Sequence, residues 1–444
     1  MDTDSGLCIG VIIDELTQIG FKLECKLLHL EIDIWQQQII DNPVDLIFVE
    51  SAWWGLDKLW HRKVSETASE LRDLVTWCKT HAIPTIFWNK EDPVHFERFL
   101  VTASLFDAVC TTDIDCIPFY KNALGHDHVY LLPFACQPFI HNPVEQFIRQ
   151  KSACYAGSYY IRFPERSSNL RIILDAVSTL MPVDIFDRYF ESQDLNYRFP
   201  KVYQDFIKGS LGVDELHQAY KGYCFGINLN TVKKSPTMFA RRVFELLGSG
   251  TVVLSNESLG VRRFFGDVVL CADNQEALQV LLMPLVQDDV QRAKHAVAGV
   301  RKVMLEHTYA HRLDAVAQLV LGRSTLVPLP LVHIIALANN ANELLTVIAY
   351  AKRQHYSDWN LWVVVMNEGL IAANIVTNDD DRIQLLSWEG VLDKCLGDVL
   401  VYSSAGKANQ QCWVAAWLPN DYYGAYYLLD MVLATRYSAA RLPT

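Results

Sequence analysis

"SPTMFARRVFELLGSGTVVLSN", residues 235–256, places a helix directly before a short apolar strand. Ser235 is a suitable N-cap and Pro236 suits the first helical position, so a helix is expected to begin there. Phe239, Val243, Leu246 and Leu247 form one apolar face. Gly248 and Gly250 end the helix and return the chain into "TVVLSN", which reads as a buried strand. Packing accounts for all of this except Arg241, Arg242 and Glu245, which are left pointing elsewhere.

Outward from this stretch the same helix–strand unit repeats. "SACYAGSY" (152–159), "VDIFDRY" (183–189), "FGINLN" (225–230) and "VVLCADN" (268–274) read as strands beside it. Earlier in the chain "LCIGVIID" (7–14), "VDLIFVES" (44–51), "PTIFWNKED" (84–92), "FDAVCTTD" (106–113) and "HVYLLPFA" (128–135) form a first set. Segments such as Ser65–His81 have room for crossover helices, so each set predicts a parallel, doubly wound sheet. The expected fold class is α/β, with domains at 1–150 and 151–324, the second closed by a helical tail over 288–321. A third block, 325–444, follows the Pro-rich "STLVPLPLV" and repeats the strand–helix–strand logic, but its sequence stops early for a complete α/β domain.

The 444 residues carry a formal net charge of −12, which argues against a nucleic-acid partner. The eleven cysteines are scattered without a C-x-x-C pair, as expected of free thiols in a reducing compartment. Asp2 and Asp4 stand where a secretory leader would be basic, and no apolar run is long enough to span a bilayer. A cytoplasmic protein is expected, with peripheral membrane contact left open.

Acids end four successive strands of the first set: Asp14 with Glu15, Glu50, Glu91 with Asp92, and Asp113. In open parallel sheets ligands bind beyond the carboxyl ends of the strands, where such acids can take a proton or hold a polyhydroxyl ligand. Singly, each reads better as a turn former or helix cap; together they suggest a polar cleft. Trp53 and Trp54 lie beside Glu50, where an indole suits the apolar face of a sugar as well as it suits a core. Trp88, inside an apolar run, reads as packing.

In the second set, a helix N-terminus and arginines suit a diphosphate, and Glu245 suits a ribose diol. An i,i+4 ion pair between Arg241 and Glu245 explains the same residues equally well. "YAGSYYIRFPERS" (155–167) offers Gly157 and Ser158 to an approaching phosphate, with Arg162 and Arg166 beyond. It is not a G-x-G-x-x-G fingerprint. His307 and His311 in "HTYAHR" lack the glutamate and third ligand of a zinc helix, so no metal is expected there.

"FWNKEDPVHFERFL…FDAVCTTD", "LPFACQPFIHNP", "YAGSYY…RFPERS", "SPTMFARRVFELLGSGTVVLSNESLGVRRFFGD" and "EHTYAHR" together resemble the CgeB-like (spore maturation protein) glycosyltransferases over residues 7–320. The resemblance implies the GT-B fold, two Rossmann-like domains with a cleft between them, and a nucleotide-sugar donor on the second domain without a bound metal. By likeness to the wider group that includes glycogen synthase, Glu245 would hold the donor ribose, and Thr237 stands where that group has a second glutamate. The third block resembles the nucleotide-binding half of a GT-A glycosyltransferase. In its D-x-D region the first acid is Asn420, leaving Asp421 alone, so a divalent metal is not expected. "NDDDR" (378–382) reads as a solvated turn.

These implications predict a glycosyltransferase moving a sugar to a glycan or glycoprotein. The donor would lie on Gly157, Ser158, Arg166, Ser235, Thr237, Arg242 and Glu245, with Asp187 and Arg188 near the base. The acceptor would pass Asp14, Glu50, Glu91 and Asp92, with Glu91 or Asp92 as general base. The rival expectations are a nucleotide-sugar epimerase or hydrolase on the same fold, and a non-catalytic carbohydrate-binding or scaffold protein.

Overall fold

The structure, a computed structural model, describes residues 6–366, 380–387 and 412–438. The chain forms two compact units, Met1–Leu326 and Val327–Thr444.

The first unit holds two six-stranded sheets, parallel throughout. The strands of the first sheet are β1 (Cys8–Ile12), β2 (Lys26–His29), β3 (Leu46–Glu50), β4 (Thr85–Asn89), β5 (Ala108–Thr111) and β6 (Val129–Leu131), in the order β2-β1-β3-β4-β5-β6. Those of the second are β7 (Gln150–Gly157), β8 (Val183–Asp187), β9 (Ile207–Gly209), β10 (Tyr223–Asn228), β11 (Val252–Ser255) and β12 (Val269–Cys271), in the order β12-β11-β10-β7-β8-β9. All ten strands expected from the sequence are present. The two not anticipated, β2 and β9, are the short edge strands "KLLH" and "IKG", which lack an apolar run. Strand order reverses between β1 and β3 in one sheet and between β7 and β10 in the other, and each reversal opens a crevice at the strand ends.

The first sheet is buried on both faces. Ile47, Val49, Phe87 and Val109 point into one core, while their neighbours Leu46, Phe48, Ile86 and Trp88 point into the other. This alternation is the two-residue period of a strand, and it explains why the strands read as continuous apolar runs. That second core contains Tyr309, Leu313, Val316 and Ala317 from the helix Tyr309–Leu321. The end of the expected helical tail therefore packs on the first sheet, not the second. Arg312 fastens it there through Pro133 O at 2.8 Å and Phe134 O at 2.9 Å, and Tyr309 N donates to Cys136 O at 3.0 Å. This is the two-sheet GT-B architecture that the resemblance implied.

The second unit carries a four-stranded parallel sheet among the described residues: β13 (Leu331–Ala338), β14 (Trp359–Val365), β15 (Ile383–Ser387) and β16 (Cys412–Trp417), ordered β15-β14-β13-β16. Of "NDDDR", residues 378 and 379 lie outside the described residues. Asp380 and Arg382 pair at 2.8 Å, and Arg382 lies 4.0 Å from the centre of the Trp359 ring, so the visible part of that run is a turn. Asp421 is exposed.

Candidate functional site

Both strand-order reversals open on one cleft of about 860 Å³. Asp14 after β1 and Trp54–Lys58 after β3 form its first wall. Gly157 ending β7, Arg188 after β8 and Arg241, Arg242 and Glu245 after β10 form its second.

On the first wall, the four strand-end acids do different work. Glu50 is fully buried and accepts hydrogen bonds from Thr17 Oγ1 and Asp14 N. Lys90 reaches both acids, with Nζ 2.7 Å from Glu50 and 2.9 Å from Asp14. Burial acts to lower the Lys90 pKa, but the two carboxylates around it outweigh this and hold it above its ordinary value, so it stays charged. The Asp14 carboxylate is oriented by two partners, since its Oδ2 accepts from Lys90 and its Oδ1 from Gly55 N at 3.0 Å. It alone of these acids both lines the cleft and has a prearranged second layer behind it.

Asp92, one of the expected bases, does not line the cleft. It is buried under Asn89, Thr111 and Tyr120, whose donors lie 2.7, 2.6 and 3.3 Å from its carboxyl oxygens. Burial pushes its pKa up to about 7, although the hydrogen bonds from Thr111 and Tyr120 pull the other way. Glu91 is half-buried, faces His95 at 4.0 Å and is likewise absent from the cleft lining. Of the acids expected to serve the acceptor, Asp14 lines the cleft, whereas Glu91 and Asp92 do not. Glu50 belongs to the layer behind Asp14.

The second wall is cationic. Arg166 rises from the helix Pro164–Ser178 with its guanidinium 5.1 Å from the Tyr160 ring centre, and Arg242 lies 5.5 Å from that of Tyr155. Nη1 of Arg166 and Nε of Arg242 are buried without a hydrogen-bond partner among the described residues. Arg188, whose N donates to Gly157 O at 3.2 Å, is exposed at the cleft. Glu245 is buried and pairs with Arg241 at 2.6 Å while accepting from Tyr220 OH at 3.0 Å. The i,i+4 ion pair between Arg241 and Glu245 is present, but buried in the cleft wall instead of on the outer surface. A carboxylate has about four acceptor sites, so two remain for a diol.

The helix expected to begin at Ser235 begins instead at Arg242 and ends at Gly248. Ser235 Oγ caps only a turn, accepting from Met238 N at 2.9 Å. Asn230 Oδ1 takes Ala240 N at 2.9 Å and keeps the intervening chain out of the helix. Thr237 leaves the cleft to join the sheets, accepting from Ile114 N and donating to Thr112 O, each at 2.9 Å. Gly226 of β10 lets the short helix sit close, since a Cβ there would come within 2.6 Å of Leu246. Ser158 and Asp187 are buried beside the wall and do not line it. Asp187 Oδ1 accepts from Tyr189 N at 3.0 Å, and burial raises its pKa.

Sequence reading missed Lys90, Tyr220 and Lys58. Lys90 sits in the quoted "FWNKED", and a lone lysine between acids at a strand end was the available signal. His307 and His311 serve the fold: His307 stacks on Phe264 at 5.1 Å and His311 Nδ1 lies 2.7 Å from Thr308 Oγ1. Among the described residues no group of three or more His, Cys, Asp or Glu is placed to hold a metal ion. No helix among them is long and apolar enough to cross a membrane.

Residues 170–318, about a third of the chain, match the model of a family described as glycosyl transferase-like. The matched residues take in Arg188, Arg241, Arg242 and Glu245 of the second wall. The Spore protein CgeB of Bacillus subtilis (strain 168) is 23% identical over 184 residues, 39% of this chain and 56% of that protein. The match thus spans little more than half the length of that relative. Among solved structures, a glycosyltransferase from Rickettsia africae ESF-5 covers 72% of this chain and 100% of its own at 8% identity and a TM-score of 0.49. Sucrose-phosphate synthase from Thermosynechococcus elongatus covers 70% and 98% at 12% identity and 0.46. Anabaena Alr3699/HepE in complex with UDP covers 71% and 92% at 11% identity and 0.44. These scores describe outline and say nothing of what this cleft holds.

Proposed function

We propose that the cleft binds a nucleotide-sugar and that the protein transfers the sugar to a glycan or glycoprotein acceptor. The observation that carries this reading is the group Arg166, Arg188 and Arg242 around Gly157 at the strand-order reversal of the second sheet. Among the described residues, Nη1 of Arg166 and Nε of Arg242 are buried without a hydrogen-bond partner. Unpaired buried donors are costly, and bidentate contacts to diphosphate oxygens would satisfy them. Glu245, oriented by Arg241 and Tyr220, has acceptor capacity left for the ribose diol.

Opposite this wall, Asp14 would take the proton from the attacking acceptor hydroxyl as the bond from the sugar's anomeric carbon to the diphosphate oxygen breaks. The arginines would stabilise the charge that develops on the departing nucleoside diphosphate. Lys90 would hold Asp14 in place. No step in this scheme requires a metal, and the second unit, whose Asp421 is an exposed single carboxylate, is proposed as a degenerate partner without its own centre.

Calorimetric titration of UDP, GDP, dTDP and CMP into the full chain tests the reading. One of them is expected to bind clearly more tightly than the rest, and Glu245→Ala to weaken it. If none binds, the donor reading fails and a carbohydrate-binding protein replaces it. Turnover of the matching nucleotide-sugar without acceptor would instead identify an epimerase or hydrolase.

A further inference from the structure

Trp54 belongs to two cavities at once. It lines the main cleft and also a separate groove of about 410 Å³ bounded by Trp53, His61, Arg62, Glu66 and Arg98. Its side chain is half exposed, at 51%, although tryptophan is large, apolar and usually covered. It is nonetheless held rigidly. His61 stacks flat against it, with ring centres 4.1 Å apart and planes 5° from parallel. The carbonyl of Trp54 accepts from Trp60 N, and Trp60 is itself buried, with Nε1 donating to Leu30 O at 2.7 Å.

The segment that presents Trp54 is under backbone strain. Asp57, Lys58, Arg62 and Thr67 all have φ between 52° and 62°, in the left-handed region that side chains disfavour. Each such residue costs about 1 kcal/mol or more, and such costs persist where the surrounding structure over-determines the backbone, often at a binding site. A loop needed only to join β3 to the next helix would not require four of them. What the strain achieves is a supported indole at the lip of the cleft, with a polar groove behind it. Arg98 and Glu66 lie 3.7 Å apart in that groove, both exposed, and offer donors and acceptors of the kind that bind vicinal hydroxyls.

We infer that Trp54 and its outer groove form an acceptor subsite for a saccharide chain of at least two rings. One ring would lie with its C–H face on Trp54 inside the cleft, its hydroxyl directed toward Asp14. The next ring would cross the indole edge into the groove, where Arg62, Glu66 and Arg98 meet its hydroxyls. This inference rests on the glycosyl-transfer reading and narrows it, since the acceptor would be recognised as a glycan and not as a small aglycone or a peptide. Lys58 Nζ, 5.8 Å from the centre of the Trp54 ring, stands at the cleft side of the same platform.

The test is a glycan-array screen with the full-length protein, followed by titration of the glycans it captures. Binding is expected to rise from one ring to two or three and then level off. Trp54→Ala should weaken the captured oligosaccharide about tenfold or more, the usual cost of a lost aromatic platform, and Trp54→Phe should restore most of it. Arg98→Ala should weaken two- and three-ring glycans while leaving single sugars unchanged. Binding of UDP, GDP, dTDP or CMP should be the same in all three variants, which also shows that each is folded. Capture of no glycan, equal affinity for one and several rings, or indifference to Trp54→Ala overturns the subsite. Because nucleotide binding is measured separately, the donor reading can survive that outcome, or fail while Trp54 still binds glycan.

Discussion

The two walls of the cleft are built from charge in opposite ways. On the first the charges are paired within the wall: Lys90 lies 2.7 Å from Glu50 and 2.9 Å from Asp14, so one cation is shared by two acids. On the second not all are: Glu245 answers Arg241, while Arg166 and Arg242 keep buried N–H groups without partners among the described residues. A compensated wall can hold a catalytic acid or base steady without a ligand. An uncompensated cationic wall is arranged for an anion that arrives from solution. The proposed division of labour between acceptor chemistry and donor binding rests on that contrast.

The strongest way to break the contrast is to remove the cation from the first wall. Lys90→Met leaves Glu50 and Asp14 facing each other without compensation, and is expected to cost about 3–5 kcal/mol of stability at neutral pH. Denaturant unfolding measures this. The double variant Lys90→Met/Glu50→Gln should recover most of the loss; if it does not, the lysine matters for packing and not for charge. On the second wall, Arg242→Ala is expected to weaken nucleoside diphosphate binding about 30- to 100-fold with little change in unfolding midpoint. A variant that binds normally but unfolds early would show that the guanidinium serves the core, against Tyr155, and not a ligand.

How much of this was visible in the sequence differs between the walls. The acids of the first wall could be read directly, because an apolar run ending in an acid is a local pattern and a parallel strand has a fixed direction. Their unequal burial could not, since it depends on Tyr120 reaching Asp92 from the helix Ile117–Leu124 and on Lys90 reaching back 76 positions to Asp14. On the second wall the local signal at Ser235 and Pro236 was sound helix chemistry, but tertiary contacts overrode it. Asn230 and Thr112 compete for the backbone and side chain of the same seven-residue stretch, and the helix starts later. Trp54 was legible only as an open choice between sugar platform and core, because strain and a stacked histidine are properties of the folded backbone.

A smaller effect is expected where the walls meet. Thr237→Val removes the hydroxyl that bonds Ile114 N and Thr112 O, leaving a buried donor and acceptor unpaired, at a cost of about 1.5 kcal/mol. Donor affinity should change little, because Thr237 does not line the cleft. A large loss of nucleotide binding in this variant would mean that the spacing of the walls, and not their charge alone, sets affinity.

The smallest change at neutral pH should come from His141→Asn, yet its pH dependence separates two groups of the second wall. Burial lowers the His141 pKa to about 4, assisted by nearby Arg241 and Lys221 and opposed by Glu245. A base whose folded pKa is depressed adds stability that is complete above its unfolded value of 6.5 and is lost as pH falls toward 4. Glu245 behaves differently: burial raises its pKa, but Arg241, His141, Tyr220 and Arg242 together bring it below the ordinary 4.5. Its contribution is therefore complete above 4.5 and is lost only at lower pH. The wild-type stability curve should fall on the acid side, and His141→Asn should make its upper limb, between pH 6.5 and 4, shallower by the His141 share, while His307, His29 and His333, whose pKa values burial also lowers, keep the rest of it. Because Asn can still accept from Gln137 N, which His141 Nδ1 does at 3.2 Å, the neutral-pH stability of the variant should stay near that of the wild type. An upper limb left unchanged by the substitution would assign it to the other histidines, and His141 would then be no part of the electrostatics that set Glu245 against Arg241.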